Sequence, residues 1–214
     1  VAGIIGNLPE AIIGMLGAAS IGAVWSSCSP DFGAKGIMDR LSQVKPRVVF
    51  YTTSYQYGGK NHSTSAVMEE CLKNLGSCLG VAVDHLQNGD VPIDGAISLN
   101  EFLDIAPDFR YEACEFGDPL YIMFSSGTTG VPKCIVHGIG GTLIQHKKEL
   151  MLHSNIDHEA NLLYFTTCGW MMWNWMVSAL SCDAMLTLFE GSPAHPNLNI
   201  LWEVVEEEGV TVLV

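Results

Sequence analysis

The stretch LYIMFSSGTTGVPKCIVHG at residues 120–138 joins an apolar run to a segment of hydroxyl side chains and glycines. The first five residues have the pattern of a buried strand, and residues 125–130 supply four hydroxyl groups and two glycines. Such a segment exposes consecutive backbone N–H groups, and glycine lets the backbone approach a phosphate closely. Lys133 follows at a distance from which its ammonium group can reach the same anion. The stretch therefore predicts a loop that binds phosphate.

The spacing within this loop differs from that of two familiar nucleotide-binding motifs. In the P-loop pattern G-x-x-x-x-G-K-S/T, the second glycine would fall at Pro132 and the final hydroxyl residue at Cys134. The G-x-G-x-x-G spacing of dinucleotide-binding folds is absent as well. A plain surface loop is the remaining alternative, but the apolar strand before the loop and the proline before Lys133 argue against it. A P-loop NTPase is therefore disfavoured.

Composition limits the kinds of partner that the chain can bind. Its 214 residues include 10 basic and 23 acidic side chains, which give a formal charge of −13. Binding to a nucleic-acid backbone requires clustered Lys and Arg, so we expect no nucleic-acid partner. An acidic protein still binds ATP through Mg²⁺, backbone N–H groups and a few local cations. A small-molecule partner fits this composition best.

The longest uncharged run, residues 11–30, does not have the composition of a membrane span. Three glycines and four serines dilute it, and no basic flank precedes it. Helical spacing of apolar residues after Pro9 predicts a helix, and IGAVWSS at residues 21–27 predicts a strand. We expect a buried helix followed by a buried strand.

The seven cysteines are odd in number and form no C-x-x-C pair. This pattern is typical of a reducing compartment, and we expect free thiols that pack as small hydrophobic groups. Cys134 and His137 have the spacing of half a metal site, but no second pair follows. No metal-ligating cluster is predicted.

Strand and helix patterns alternate along the chain, which predicts an α/β fold with largely parallel sheets and helices on both faces. We expect a first α/β portion over residues 1–84, an irregular connection over 85–117 and a second α/β portion over 118–214. The connection contains one short helical pattern around Glu101–Ile105. Both ends, VAGIIG and GVTVLV, have the pattern of buried strands, so we expect a segment of a longer protein.

The loop resembles a motif of one enzyme superfamily. Phe124 to Lys133 matches, at ten consecutive positions, the phosphate-binding loop of the adenylate-forming superfamily. That superfamily includes acyl-CoA synthetases, luciferases and the adenylation domains of peptide synthetases. Cys134 departs from the motif, because most members have glycine there. The resemblance identifies the chain as a member of this superfamily.

Further segments narrow the resemblance. Residues 4–50 resemble the N-terminal part of the same enzymes, with a Pro-Glu helix start, an Ile-Gly-Ala strand and an Asp-Arg helix in order. The segments SSCSPDFG, GGTLIQH, GWMMWNWM and EGSP are most similar to those of acetoacetate-activating members. Nearly the whole chain takes part, and residues 54–115 only weakly. Thr167 departs from acetate-activating relatives, which often have aspartate there.

The resemblance implies a reaction and its cofactors. A carboxylate attacks the α-phosphate of ATP to give an acyl-adenylate and pyrophosphate, and CoA then displaces AMP. Mg²⁺ would bridge the phosphates, and Lys133, Thr128 and Thr129 would be catalytic. The residues implied to hold the departing pyrophosphate are Ser125, Ser126, Gly127, Thr128, Thr129, Gly130 and Lys133.

The resemblance also implies where the acid and CoA bind. Residues just after the Gly-Trp pair line the acyl pocket in short-chain members, which here are Trp170, Met171, Met172 and Trp173. A buried helix start is the alternative for these side chains. Ser29, Pro30 and Asp31 align with a loop that contacts CoA in acetate-type relatives. The alternative for Asp31 is to cap the next helix.

Three functions therefore stay open. We expect a cytosolic, ATP-dependent ligase that forms acetoacetyl-CoA from acetoacetate. An acyl-CoA synthetase for another short acid is the second, and a catalytically silent nucleotide-binding fragment is the third. Adenine-binding and ribose-binding motifs and the C-terminal domain of the superfamily do not occur before Val214. We expect the chain alone to be inactive.

Overall fold

The computed structural model describes residues 1–104, 108–125 and 130–214. Strands in these ranges are β1 (Ala2–Ile4), β2 (Ser26–Cys28), β3 (Val48–Thr52), β4 (Ser54–Tyr57), β5 (Lys60–Ser63), β6 (Leu79–Val83), β7 (Ala96–Ser98), β8 (Pro119–Phe124), β9 (Cys134–Gly138), β10 (Asn161–Leu163), β11 (Met185–Thr187) and β12 (Val212–Leu213). Helices are α1 (Pro9–Ser20), α2 (Ala34–Val44), α3 (Ser65–Leu75), α4 (Leu99–Leu103), α5 (Ile139–Lys148), α6 (Met171–Val177) and α7 (Ile200–Glu207). A π-helical turn, Glu149–His153, extends α5, and a 3₁₀ turn, Ser178–Cys182, extends α6.

The first sheet is parallel throughout, with strand order β2-β1-β3-β6-β7. One face packs on α1 through side chains such as Ile12 and Phe50, and the other packs on α2 and α3 through Ile37 and Met68. Strands that are covered on both faces need consecutive apolar residues, as in VVFYT of β3. The predicted α/β fold with helices on both faces is confirmed.

Two elements of the first sheet region were not predicted. β4 and β5 form an antiparallel hairpin, and its turn residues Gly58 and Gly59 have φ of 56° and 76°. Two consecutive positive φ angles are the signature of a type I′ turn, which explains the glycine pair. β7 lies in the stretch expected to be irregular and adds a strand to the edge of the sheet, followed by α4 with a capping box between Ser98 and Glu101.

The second half contains a parallel sheet of order β11-β10-β12 and a separate hairpin of β8 and β9. The hairpin is antiparallel because only residues 125–133 connect its strands, and a parallel crossover needs a dozen residues or more. β8 also pairs with the residue that precedes β2. The backbone N–H of Trp25 donates to the Leu120 carbonyl at 3.1 Å. The carboxyl end of β8 therefore lies beside the carboxyl end of the first sheet's edge strand.

Residues 11–30 contain the predicted helix and strand, α1 and β2. The strand is shorter than predicted, Ser26–Cys28, and α1 is buried on one face only, with Ile13 63% exposed on the other. No helix among the described residues is both long and apolar enough to cross a bilayer. All seven cysteines are free, as expected, and Cys28, Cys71, Cys168 and Cys182 are buried. Burial raises the pKa of the Cys28 thiol to about 12, so this group stays a neutral packing side chain at neutral pH.

Candidate functional site

The root of the predicted phosphate loop is closed by two hydrogen bonds. Ser125 donates its N–H to the Lys133 carbonyl at 2.9 Å, and Lys133 donates its N–H to Ser125 Oγ at 3.2 Å. Gly130 and Lys133 are exposed. Ser126, Gly127, Thr128 and Thr129 lie outside the described residues. The strands on either side thus hold the two ends of the loop together and leave Lys133 open to solvent.

Lys133 has the electrostatic setting that an external anion requires. The ion pairs within the described ranges are Lys35–Asp39 and Lys148–Glu149, and neither involves Lys133. Its ammonium group is therefore not neutralised by a described carboxylate. A lysine in this state fits a phosphate ligand. The same ranges contain no group of three His, Cys, Asp or Glu side chains that could hold a metal ion.

A cleft of about 400 Å³ opens between the two sheets, at the carboxyl ends of β2, β10 and β11. Ligands of open α/β sheets bind outside the carboxyl ends of the strands, which makes this position informative. The cleft is lined by Ser29, Pro30, Asp31, Tyr55, Tyr57, His62, Phe165, Thr166, Thr167, Phe189, Glu190 and Gly191. The sequence-predicted residues Ser29, Pro30 and Asp31 are among them. Tyr55, Tyr57 and His62 come from the unpredicted hairpin.

Hydrogen bonds hold the two sides of the cleft together. Ser27 donates its Oγ–H to the Cys168 carbonyl at 2.7 Å, and the Cys168 thiol donates to the Gly6 carbonyl at 3.0 Å. A Cβ on Gly169 would lie 3.6 Å from both Cys28 Cα and Ser29 N, so the chain passes close to β2 there. Thr167 and Ser29 consequently face the same space.

Asp31 does not cap the following helix, so that alternative is wrong. The N-cap residue of α2 is Gly33, and no side chain caps it. Asp31 lies two residues earlier and faces the cleft. The neighbouring Phe32 ring lies 4.5 Å from the Arg40 guanidinium, a cation–π contact to helix α2.

The four residues predicted for the acyl pocket divide into two groups. Trp170 is 69% exposed and Met171 is 39% exposed, whereas Trp173 is fully buried. The Trp173 indole donates to Asn7 Oδ1 at 2.9 Å, which ties α6 to the loop after β1. Met172 is half-buried against the same core. Trp170, Met171 and Met172 are at least partly exposed, Trp173 packs in the core, and none of the four lines the cleft.

Glu190 is a cleft residue that the sequence reasoning did not single out. Its Oε2 accepts the Asn7 N–H at 2.6 Å, and its carboxylate packs where a Cβ on Gly6 would be. Burial raises the pKa of the Glu190 carboxyl, and Asp31 adds to this, while the Asn7 N–H and His85 act in the opposite direction. The segment EGSP signalled this position only through its resemblance to relatives.

The raised pKa of Glu190 makes a prediction about stability. Because the folded-state pKa lies above the unfolded-state value, the unfolded chain ionises first as the pH rises, and this group costs stability above its folded-state pKa. We expect Glu190→Gln to raise the unfolding midpoint of the 214-residue chain in urea at pH 7 and to change it little at pH 4. An exposed control, Glu206→Gln, should have no such pH dependence. Equal effects of Glu190→Gln at both pH values would contradict the assignment.

Comparison with known proteins places the chain in a family. The family described as AMP-binding enzyme matches residues 1–214. An acetoacetyl-CoA synthetase of Macaca fascicularis is 46% identical over 224 residues, which cover 100% of this chain and 33% of that protein. A malonamoyl-CoA synthetase of Penicillium aethiopicum is 42% identical over 206 residues, which cover 91% of this chain and 28% of that protein.

A solved structure agrees with the sequence comparisons. The acetoacetyl-CoA synthetase from Streptomyces lividans superimposes with a TM-score of 0.94 at 36% identity, covering 100% of this chain and 33% of that one. The chain thus spans about a third of the length of the relatives that it matches. With the loop, the cleft and a family match over its whole length, this chain belongs to the AMP-binding enzymes.

Proposed function

We propose that this chain is the phosphate-binding and acid-binding part of a cytosolic, AMP-forming acid–thiol ligase that converts acetoacetate, ATP and CoA to acetoacetyl-CoA, AMP and pyrophosphate. The observation that carries the proposal is the position of the loop. Its root, Ser125 and Lys133, lies at the carboxyl end of β8, beside the edge strand β2 that leads into the cleft. The relatives named acetoacetyl-CoA synthetase support acetoacetate as the acid.

Positioning and charge neutralisation account for most of the catalysis in phosphoryl chemistry. Lys133 carries an ammonium group without a described carboxylate partner, and it would stabilise the charge of the departing pyrophosphate. The hydroxyl and glycine residues from Ser125 to Gly130 would donate N–H and O–H groups to the same oxygens. Mg²⁺, when bound, would neutralise the remaining phosphate charge.

The cleft would receive the thiol, and the start of α6, which does not line the cleft, would receive the acid. Trp170, Met171 and Met172 would contact the acyl group, with Trp173 supporting them from the core. Ser29, Pro30 and Asp31 would contact CoA from the β2 side of the cleft. Residues 1–84 and 118–214 would be portions of two subdomains, joined by residues 85–117.

Truncation of Met172 should change acid preference. Met172→Ala removes three heavy atoms from the expected acyl pocket, so a longer acid gains space that acetoacetate leaves empty. We expect the ratio of kcat/KM for hexanoate over acetoacetate to rise about tenfold in the full-length protein. The control is Met151→Ala, an exposed methionine in the π-helical turn after α5, outside the segment predicted for the acyl pocket. If both variants keep the wild-type ratio, Met172 does not contact the acyl group.

The proposed function is tested by ATP–pyrophosphate exchange with the full-length protein, using acetoacetate, acetate, butyrate, malonamate and no acid. We expect exchange that depends on acetoacetate. Exchange with malonamate or butyrate instead would support a ligase that activates a different acid. The relative named malonamoyl-CoA synthetase makes malonamate the first alternative to test. Absence of exchange with every acid would contradict the ligase and favour a silent nucleotide-binding protein.

A further inference from the structure

Helix α2 contacts the segment that carries Lys133 through one side-chain amide. Gln43 Nε2 donates to the Pro132 carbonyl at 2.8 Å and to the Asp39 carbonyl of its own helix at 2.7 Å. Gln43 Oε1 accepts from the Cys134 thiol at 3.5 Å. The amide therefore bonds to the residue before Lys133 and to the residue after it, 89 and 91 positions away along the chain.

The other root of the loop contacts the same helix. The Arg40 guanidinium lies 5.8 Å from the centre of the Phe124 ring, and Phe124 immediately precedes Ser125. Arg40 and Gln43 are three residues apart on α2, so they lie on one face of the helix. Arg40 is itself fixed by a bond from Nη1 to the Gly36 carbonyl at 2.7 Å. One helix face thus contacts both ends of the phosphate loop.

We propose that Gln43 is a positioning residue for Lys133. This inference rests on the proposed function and adds a residue that lies outside both the loop and the cleft. Lys133 is exposed, and the chain around it has few packing contacts to define its direction. Two hydrogen bonds at its neighbours, together with the Ser125–Lys133 pair, fix the backbone from which the ammonium group extends.

A cation stabilises the charge that develops in a transition state because it is already held in position. The stabilisation is therefore smaller when the position of the cation varies. Without the Gln43 bonds, Lys133 would keep its positive charge, but its ammonium group would occupy a wider range of positions. Gln43→Met is the suitable change, since methionine has nearly the same length and helix propensity but cannot donate to the Pro132 carbonyl. Ser42→Ala is the matched control, because the one partner of the Ser42 hydroxyl among the described residues is the Met38 carbonyl of α2, at 2.6 Å.

The first experiment is a double-mutant cycle in ATP–pyrophosphate exchange with the full-length protein. We expect Gln43→Met to lower kcat/KM for ATP about fivefold to tenfold, as for loss of one hydrogen bond, and Ser42→Ala to leave it unchanged. In a Lys133→Ala background the same Gln43→Met change should have less than about a twofold effect. An undiminished effect in that background, or no effect in the wild type, would overturn the proposal.

The second readout does not depend on activity. Without nucleotide, the amides of Ser125 and Lys133 should exchange hydrogen faster in Gln43→Met than in Ser42→Ala, because the root of the loop is less firmly held. Equal exchange in the two variants would overturn the proposal. The two failures can be told apart. If the wild type shows no pyrophosphate exchange but the two variants differ in amide hydrogen exchange, the proposed function is wrong, and the role of Gln43 in holding the loop root still stands.

Discussion

Replacement of Lys133 by alanine in the full-length protein is expected to lower the rate of ATP–pyrophosphate exchange by about two to three orders of magnitude, the loss that follows removal of one preorganised electrostatic contact. The ammonium group has no described carboxylate partner, so its full charge is available to the phosphates. Most of the loss should appear in kcat, because negative charge on the leaving pyrophosphate develops in the transition state.

Lys35→Ala is the control for a general loss of positive charge. Lys35 is exposed on α2 and pairs with Asp39 at 3.0 Å, one helical turn away, so its removal changes the net charge equally. We expect exchange by Lys35→Ala to stay within about twofold of the wild type, as for an exposed charge whose field is screened by salt. A Lys133→Ala protein that retained wild-type exchange would exclude any role of this lysine in pyrophosphate formation.

Local sequence was enough to predict the strand that precedes the candidate phosphate loop, because strand and loop lie on one continuous segment. The loop follows a strand, its lysine follows a proline, and the two ends meet because a hairpin brings residues 124 and 134 into register. Hairpin pairing of β8 and β9 was not predicted, although the short connection requires it. β8 is buried only at alternate positions and β9 is largely exposed. The apolar residues of the two segments run consecutively in sequence and do not alternate with polar ones, so the pattern alone did not indicate an antiparallel pair.

The cleft could not be assembled from sequence, because its lining comes from segments that are far apart in the chain. Tyr57 lies on a hairpin whose residues are mostly polar and exposed, and such a pattern gives little strand signal. Glu190 is held at the cleft by the backbone N–H of Asn7, 183 residues earlier, which donates to its carboxylate. Contacts between residues so far apart in the chain depend on how the two sheets pack. Neither segment taken alone contains a pattern that predicts this packing.

The two tryptophans at 170 and 173 show a further limit. Both lie in a segment rich in aromatic residues and methionine, so the sequence alone predicts the same degree of burial for both. The helix begins at Met171, which leaves Trp170 in extended backbone at the N-cap and turns Trp173 inward. A helix that started one residue earlier or later would turn different side chains toward the core. Helix boundaries are also the part of a helix that a sequence pattern predicts least well. The distinction between an exposed and a buried tryptophan therefore required the structure.

Trp173→Ala should destabilise the 214-residue chain by about 3–5 kcal/mol, the usual cost of emptying a buried aromatic site. Trp173 is fully buried, and its indole bonds to Asn7, so the variant leaves both a cavity and an unpaired amide oxygen. Trp173→Phe fills most of the cavity but leaves Asn7 Oδ1 unpaired, and about 1–3 kcal/mol should be lost. Urea unfolding measures both values, with the exposed Trp202→Phe as control.

The same pair of variants separates core packing from direct contact with the acid. If Trp173 acts only through the core, Trp173→Phe should lower the unfolding midpoint of the chain, and the full-length protein should keep its ratio of kcat/KM for hexanoate over acetoacetate. Met172→Ala should change this ratio and should cost less stability than Trp173→Ala, because Met172 is only half-buried. A Trp173→Phe protein with unchanged stability and altered acid preference would place the indole against the substrate instead. Burial and the bond to Asn7 favour the first outcome, since a side chain enclosed by its own core has no free surface to offer a ligand.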